Sequence, residues 1–243
     1  MGLRCAMTVD DRDGAVDFLR QLRKLFPQDP EVLFIAVHAY SDLSTRSAQD
    51  LGRIAPQSIP ARKLFAEAFE TQGKWNDAER EYEAMIEKEP NTPSLHFLLG
   101  RLLLSRPDAD AKTIERAKQE FQKEVEIDPK NAGAVYVLGQ IASKEEKWED
   151  AITYFSEAAK IDPSFAEAYL GWGFSLVTVK RYQEAIAPLR MAERLTPANP
   201  AIHYSLATAL SRTGQKEEAD KEFEIHRNLV SPTPAPPGSE KAQ

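Results

Sequence analysis

Five alanines stand at positions 78, 117, 151, 185 and 219, so the successive intervals are 39, 34, 34 and 34 residues. A large side chain follows each of them four positions later: Tyr82, Phe121, Phe155, Leu189 and Phe223. Prolines at 90, 129, 163 and 197 close the same units. A period of this length restricts the chain to a repeat architecture, in which one short supersecondary unit cannot bury its own apolar face and must stack on its neighbours. Asn131 to Pro163 shows the unit most clearly. An apolar stretch from Ala134 to Ala142 runs into a polar turn, Lys144 to Trp148, then an amphipathic stretch from Glu149 to Ala158, and closes on Ile161-Asp162-Pro163. Two short helices and a tight turn are predicted.

The residue types suit such a stack. Small residues at Gly100, Gly139, Gly173, Ala151 and Ala185 let two helix backbones approach. Large ones at Tyr82, Phe121, Phe155 and Phe223 fill the space between adjacent hairpins. Each closing proline stops a second helix and aims the chain into the next hairpin. Pro107 lies in the Ser105–Asp110 connection and predicts a first helix that stops early and a second that starts near Asp110, longer by about a turn. Pro188 falls inside a predicted second helix, where it costs a backbone bond and favours a slight bend.

The pattern resembles the tetratricopeptide repeat family, well over about Ile59 to Val230 and weakly over Ala15 to Ile54. The resemblance implies an all-α fold, a right-handed superhelical solenoid of stacked antiparallel helix pairs. The expected division is 1–29 as a partial N-terminal repeat, 30–57 as a short degenerate repeat, then repeats at 58–91, 92–130, 131–164, 165–198 and 199–230, and a proline-rich tail at 231–243. In the first of these, Val9 to Phe26 reads as a second helix, with Leu3, Ala6 and Met7 as either the stub of its partner or an irregular N-terminal cap. The second reads as Pro30–Tyr40, with Leu33, Ala36, Val37 and Tyr40 on one face, paired with Ser44–Ile54. The charged last helix reads as a cap, and the tail, with four prolines and a glycine, as disordered.

No catalytic motif is present. His38, His96, His203 and His226 are far apart in sequence, and His96 and His203 hold equivalent places that predict packing between helices. The single cysteine, Cys5, has no partner for a disulfide or metal motif. The carboxylates read as solvated charge on helix surfaces, and Trp75 and Trp148 as staples of the hairpin corners. No enzyme activity, cofactor or metal is therefore expected. A net charge of −7 argues against a nucleic-acid or anionic-membrane surface as main partner. No run approaches the ~18 apolar residues of a membrane helix, and Met1–Met7 is too short and polar for a signal peptide, so a soluble chain is the expectation, with the compartment left open and the cytoplasm favoured.

What the resemblance leaves for function is the concave wall, lined in this family by each repeat's first helix. Its groove positions fall on Lys63 (with Glu67), Phe97, Arg101, Tyr136, Gln140, Lys144, Leu170, Phe174, Val177, Tyr204, Thr208 and Arg212. A row of aromatic and apolar groups with a few cations suits a peptide or helix of a protein partner. The asparagines of the subtype that clamps chaperone C-terminal carboxylates are missing, so that subtype is rejected. The expected function is a non-catalytic protein–protein interaction scaffold. The alternative is a regulatory or targeting fragment of a larger protein or enzyme whose N-terminal part is missing, a reading suggested by the half-repeat start. Self-association through an N-terminal edge at Leu19, Leu22 and Phe26 is a third expectation.

Overall fold

A computed structural model describes residues 12–231. The described residues form twelve α-helices and no strand: α1 (Arg12–Leu25), α2 (Pro30–Ile54), α3 (Ile59–Thr71), α4 (Trp75–Lys88), α5 (Leu95–Ser105), α6 (Ala111–Ile127), α7 (Ala132–Lys144), α8 (Trp148–Ile161), α9 (Ala166–Thr178), α10 (Tyr182–Leu195), α11 (Pro200–Arg212) and α12 (Lys216–Val230). They divide into two compact units, one ending at Met85 and the other beginning at Ile86. The expected stub at Leu3–Met7, Cys5 and the proline-rich tail from Pro232 lie outside the described residues.

In the first unit, α1 matches its expected span from Arg12 on, and Leu19 is buried against Ala36 and Ala39 of α2. The hairpin expected over 30–54 is absent: α2 is one helix of 25 residues. Nothing at Ser41-Asp42-Leu43 forces a turn. The Thr45 and Ser47 hydroxyls bond back to the Ser41 and Leu43 carbonyls at 2.9 and 2.8 Å, and Arg46 pairs with Asp42 one turn away at 2.9 Å. The inward face of α2 is also not the expected one. Val32, Ala36 and Ala39 are buried, whereas Leu33, Val37 and Tyr40 are exposed. Of the expected self-association edge, Leu19 is buried and Phe26 is exposed. In α3 and α4, Ala66, Ala78, Tyr82 and Met85 are buried, and Arg62 pairs with Glu81 at 2.8 Å.

The second unit is a stack of helix pairs, α5–α6, α7–α8, α9–α10 and α11–α12. The lengthened α6, 17 residues against 14 in α8 and α10, starts where Asp110 caps the Thr113 N–H at 2.8 Å. Pro188 is buried within α10, and Pro200 opens α11 at a position where no amide proton is needed.

Four of the turns between paired helices share one chemistry, and the α5–α6 connection through Pro107 does not. Gly73, Glu146, Lys180 and Gly214 all have positive φ, between 59° and 86°. Each sits where a Schellman motif needs a left-handed residue. Thus Lys147 N–H donates to the Ala142 carbonyl at 2.9 Å and Glu146 N–H to that of Ser143 at 3.1 Å, and Arg181 and Lys180 repeat the pair on Leu176 and Val177 at 2.8 and 3.0 Å.

The glycines act differently from the expected backbone contact. A ring or branched side chain sits over them. A Cβ at Gly139 would lie 2.8 Å from Phe155 ring carbons, one at Gly171 would lie 2.9 Å from the same ring, and one at Gly173 would lie 2.4 Å from Leu189. Phe155 is thereby keyed into its own hairpin and into the next.

Buried polar groups are the second departure from the sequence reading. Glu120, Glu124 and Glu222 are buried rather than solvated. His96 and His203 each face a carboxylate with Nδ1 and a proline carbonyl with Nε2. For His96 the partners are Glu120 at 2.5 Å and Pro90 at 3.3 Å; for His203 they are Glu222 and Pro197, both at 2.7 Å. Arg62 and Glu81 occupy the matching places one repeat earlier, so the same first-helix site sets a nitrogen-bearing side chain against a carboxylate three times.

Candidate functional site

The C-terminal unit carries a trough of about 430 Å³ walled by the first helices of three successive pairs. Tyr136, Gln140, Ser143 and Lys144 come from α7, Glu167, Leu170, Gly171 and Phe174 from α9, and Ala201, Tyr204 and Ser205 from α11, with Phe155 of α8 at the floor. Helical spacing explains the set: residues three and four apart stand on one face, so 136-140-143/144 and 167-170/171-174 each form a stripe along the trough.

Two of these groups remain conspicuously in water. Phe174 is 47% and Tyr204 55% exposed. Phe174 packs edge-on against Trp148 at 6.2 Å between ring centres, so Trp148 reaches the neighbouring pair instead of only stapling its own corner. Tyr204 leans on Phe223 and His226, at 6.1 and 5.4 Å. Tyr136 is half-buried between Phe155 and Phe165, at 5.5 and 4.7 Å, and its hydroxyl accepts from Gln140 Nε2 at 3.1 Å. Burial pushes the Tyr136 hydroxyl above the usual tyrosine range, and the negative charge of Glu167 adds to the rise, against the Gln140 hydrogen bond.

Of the twelve residues expected to line a groove, the trough gathers Tyr136, Gln140, Lys144, Leu170, Phe174 and Tyr204. The other six stand elsewhere. Phe97 turns onto Phe121 at 5.6 Å and against Gly133, and Val177 joins the core around Leu176 and Leu189. The Thr208 hydroxyl bonds back to the Tyr204 carbonyl at 2.8 Å. Arg101 is half-buried on α5, Arg212 is exposed in the last turn of α11, and Lys63 is exposed on α3 in the other unit.

Glu167, Ser143 and Ser205 belong to the trough but not to the sequence expectation. Glu167 stands three residues before Leu170, on the same stripe, and that spacing was the signal available. A second hollow of about 330 Å³ lies on the other side of α7, between Leu104, Ile114, Val137 and Ile141. It adjoins the extra turn of α6, and Gln140 and Lys144 form the ridge between the two hollows.

One cluster has metal-like composition: ligand atoms of Glu193, His203 and Glu222 lie within 4.8 Å of one another. The Arg190 guanidinium already bridges Glu193 and Glu222, at 3.1 and 2.7 Å, so the cluster is satisfied as a salt-bridge network. No helix among the described residues is long and apolar enough to cross a membrane.

Comparison with known proteins agrees with this geometry. The sequence profile of the tetratricopeptide repeat matches residues 64–132, 113–166 and 136–200. Among curated proteins, the chain is 24% identical over 219 residues to TPR repeat-containing protein YpiA of Bacillus subtilis (strain 168), covering 87% of this chain and 50% of that protein. It is 24% identical over 210 residues to anaphase-promoting complex subunit 3 of Schizosaccharomyces pombe (strain 972 / ATCC 24843), covering 84% of this chain and 30% of that one. The chain thus spans half or less of these relatives' length. Among solved structures, YrrB, described as a TPR protein with an unusual peptide-binding site, superposes with a TM-score of 0.62 at 16% identity, over 75% of this chain and 91% of its own. MamA superposes with a TM-score of 0.60 at 21% identity, over 70% and 91%. With repeat-length periodicity, stacked antiparallel pairs of the right-handed solenoid class and a profile that matches more than half of its length, the chain belongs to the tetratricopeptide repeat family.

Proposed function

We propose that this chain is a non-catalytic protein–protein interaction scaffold whose C-terminal unit holds a peptide or helix of a partner in the trough between α7, α9 and α11. The observation that carries the reading is the pair Phe174 and Tyr204, each about half exposed and both facing the same concave space. Large aromatic groups held wet on a rigid wall are the kind of surface from which binding hot spots are built. Gln140, Lys144, Glu167 and Ser205 supply the polar rim that fixes orientation. Among the described residues, the titratable clusters around His96 and His203 are paired and offer no nucleophile poised beside a base, which favours a scaffold over an enzyme.

The test is affinity capture with the intact chain and with Phe174→Ala/Tyr204→Ala. Both side chains are exposed enough for the fold to survive, which circular dichroism and Tm would verify. Loss of a captured protein at unchanged Tm supports the reading; equal recovery of the same proteins rejects it. A second reading is favoured by the relatives' greater length: the same trough would then recruit or target as a regulatory segment within a longer protein.

A further inference from the structure

The two ends of the trough carry opposite charges that no other described residue neutralises. Lys144 lies in the last turn of α7 and Glu167 in the first turn of α9. Both are exposed, and neither makes a hydrogen bond or ion pair among the described residues. The other charged groups near the ridge differ: Glu145, for instance, is held by Lys118 and Lys147 at 2.9 and 2.7 Å. In the repeat register Lys144 is level with Thr178, so it stands eleven residues further along the helix direction than Glu167. Eleven residues of helix are roughly 16 Å, about three turns. Between the two charges lie Tyr136, Leu170, Phe174 and Tyr204.

We infer that the trough takes a three-turn amphipathic helix of the partner, running antiparallel to α7 and α9, with acidic residues in its first turn meeting Lys144 and basic residues in its last turn meeting Glu167. This deepens the scaffold reading and rests on it. The polarity follows from two independent requirements that agree. Charge complementarity puts the ligand's acid at Lys144 and its base at Glu167. A helix is itself stabilised by acid at its N-terminus and base at its C-terminus. Only the antiparallel orientation satisfies both. It also sets the ligand's dipole against those of α7 and α9. An apolar stripe at i, i+3, i+4 and i+7 then faces the aromatic wall.

The test uses two lactam-bridged three-turn helices with the same leucine stripe. The first has glutamates in the first turn and lysines in the last; the second exchanges them. Fluorescence anisotropy measures both against the wild-type chain, Lys144→Glu/Glu167→Lys, and Phe174→Ala/Tyr204→Ala. The first helix is expected to bind the wild type about fivefold more tightly than the second in low salt, the margin shrinking at high salt. The doubly exchanged protein should prefer the second helix. Equal binding of both helices to the wild type, lost in Phe174→Ala/Tyr204→Ala, overturns the polarity while leaving the trough as a binding site. If Lys144 and Glu167 serve only their own helix dipoles, the exchange lowers Tm without changing preference, which also overturns it. Equal affinity of an unbridged, proline-broken version of the first peptide overturns the helical form. Absence of saturable binding by either helix overturns both this inference and the reading beneath it.

Discussion

The Glu124 carboxylate accepts the backbone N–H of Ser94 at 2.7 Å from thirty residues further along the chain. Ser94 has φ of 72° and gives α5 no side-chain cap, so Glu124 takes over that role. Its second oxygen accepts the Phe97 N–H at 3.2 Å, and its first also accepts Asn131 Nδ2 at 3.0 Å, while Asn131 caps α7 through the Ala134 N–H at 3.0 Å. One buried carboxylate therefore joins the start of α5, the end of α6 and the start of α7. Glu124→Ala leaves buried N–H donors without an acceptor. A loss of about 2–3 kcal/mol is expected, read as a lower urea midpoint with unchanged helix content before the transition.

Glu146 and Lys180 pay for a left-handed backbone that Gly73 and Gly214 adopt freely. The conformation costs an L-residue about 1–2 kcal/mol, part of which glycine returns as extra entropy of the unfolded chain. Lys180→Gly should therefore raise stability by up to about 1 kcal/mol, and Gly214→Val should lower it by more. Calorimetric Tm values for the two variants test the sign of each.

Phe155 allows no Cβ at Gly139, because its ring carbons stand 2.8 Å from where that atom would be. Gly139→Ala gains about 1 kcal/mol of helix propensity and loses about 1–3 kcal/mol to overpacking, for a net destabilisation. Adding Phe155→Leu to Gly139→Ala should restore part of the loss. The measurement is a double-mutant cycle, and strict additivity would contradict the contact.

Both ring nitrogens of His203 face groups that can only accept, the Glu222 carboxylate and the Pro197 carbonyl, so the doubly protonated ring satisfies both. Burial works to lower its pKa, but the Glu222 hydrogen bond, the Pro197 carbonyl and the surrounding carboxylates raise it above 6.5 on balance. Its contribution to stability is then fully present below 6.5 and is lost as pH rises through the folded-state value. Glu120 acts in the opposite sense. Burial raises its pKa, but hydrogen bonds from His96 and Lys123 bring it below 4.5, so its contribution holds above 4.5 and is lost as pH falls through the depressed value. Urea midpoints measured across this range should decline on both sides. His203→Gln should flatten the alkaline side only.

The period, the closing prolines and the stacking were legible because they depend on residue types that recur at fixed spacing. Gly139, Phe155 and Leu189 stand where the repeat demands, and the profile of helices from Ile59 onward follows it. The continuous α2 was not legible from Ala48 and Leu51, since helical periodicity does not reveal whether a turn interrupts it when the expected turn, Ser41-Asp42-Leu43, holds neither glycine nor proline. The buried carboxylates were hidden for another reason. Glu120, Glu124 and Glu222 look like ordinary surface residues until a histidine or a bare helix start is brought opposite by folding. For the trough, family position located six lining residues, but it could not foresee that Phe97 would turn onto Phe121 beside Gly133, or that the Thr208 hydroxyl would bond to its own helix.

Because a single ring is keyed into both Gly139 and Gly171, the α7–α8 hairpin cannot be excised or spliced at its edge without stripping a neighbour. A deletion whose boundary falls anywhere between Gly139 and Gly171 parts the ring from one of its two seats, leaving a phenylalanine without its notch or a notch without its phenylalanine. The smallest block that carries this contact whole therefore runs from α7 to Gly171 of α9, longer than one hairpin.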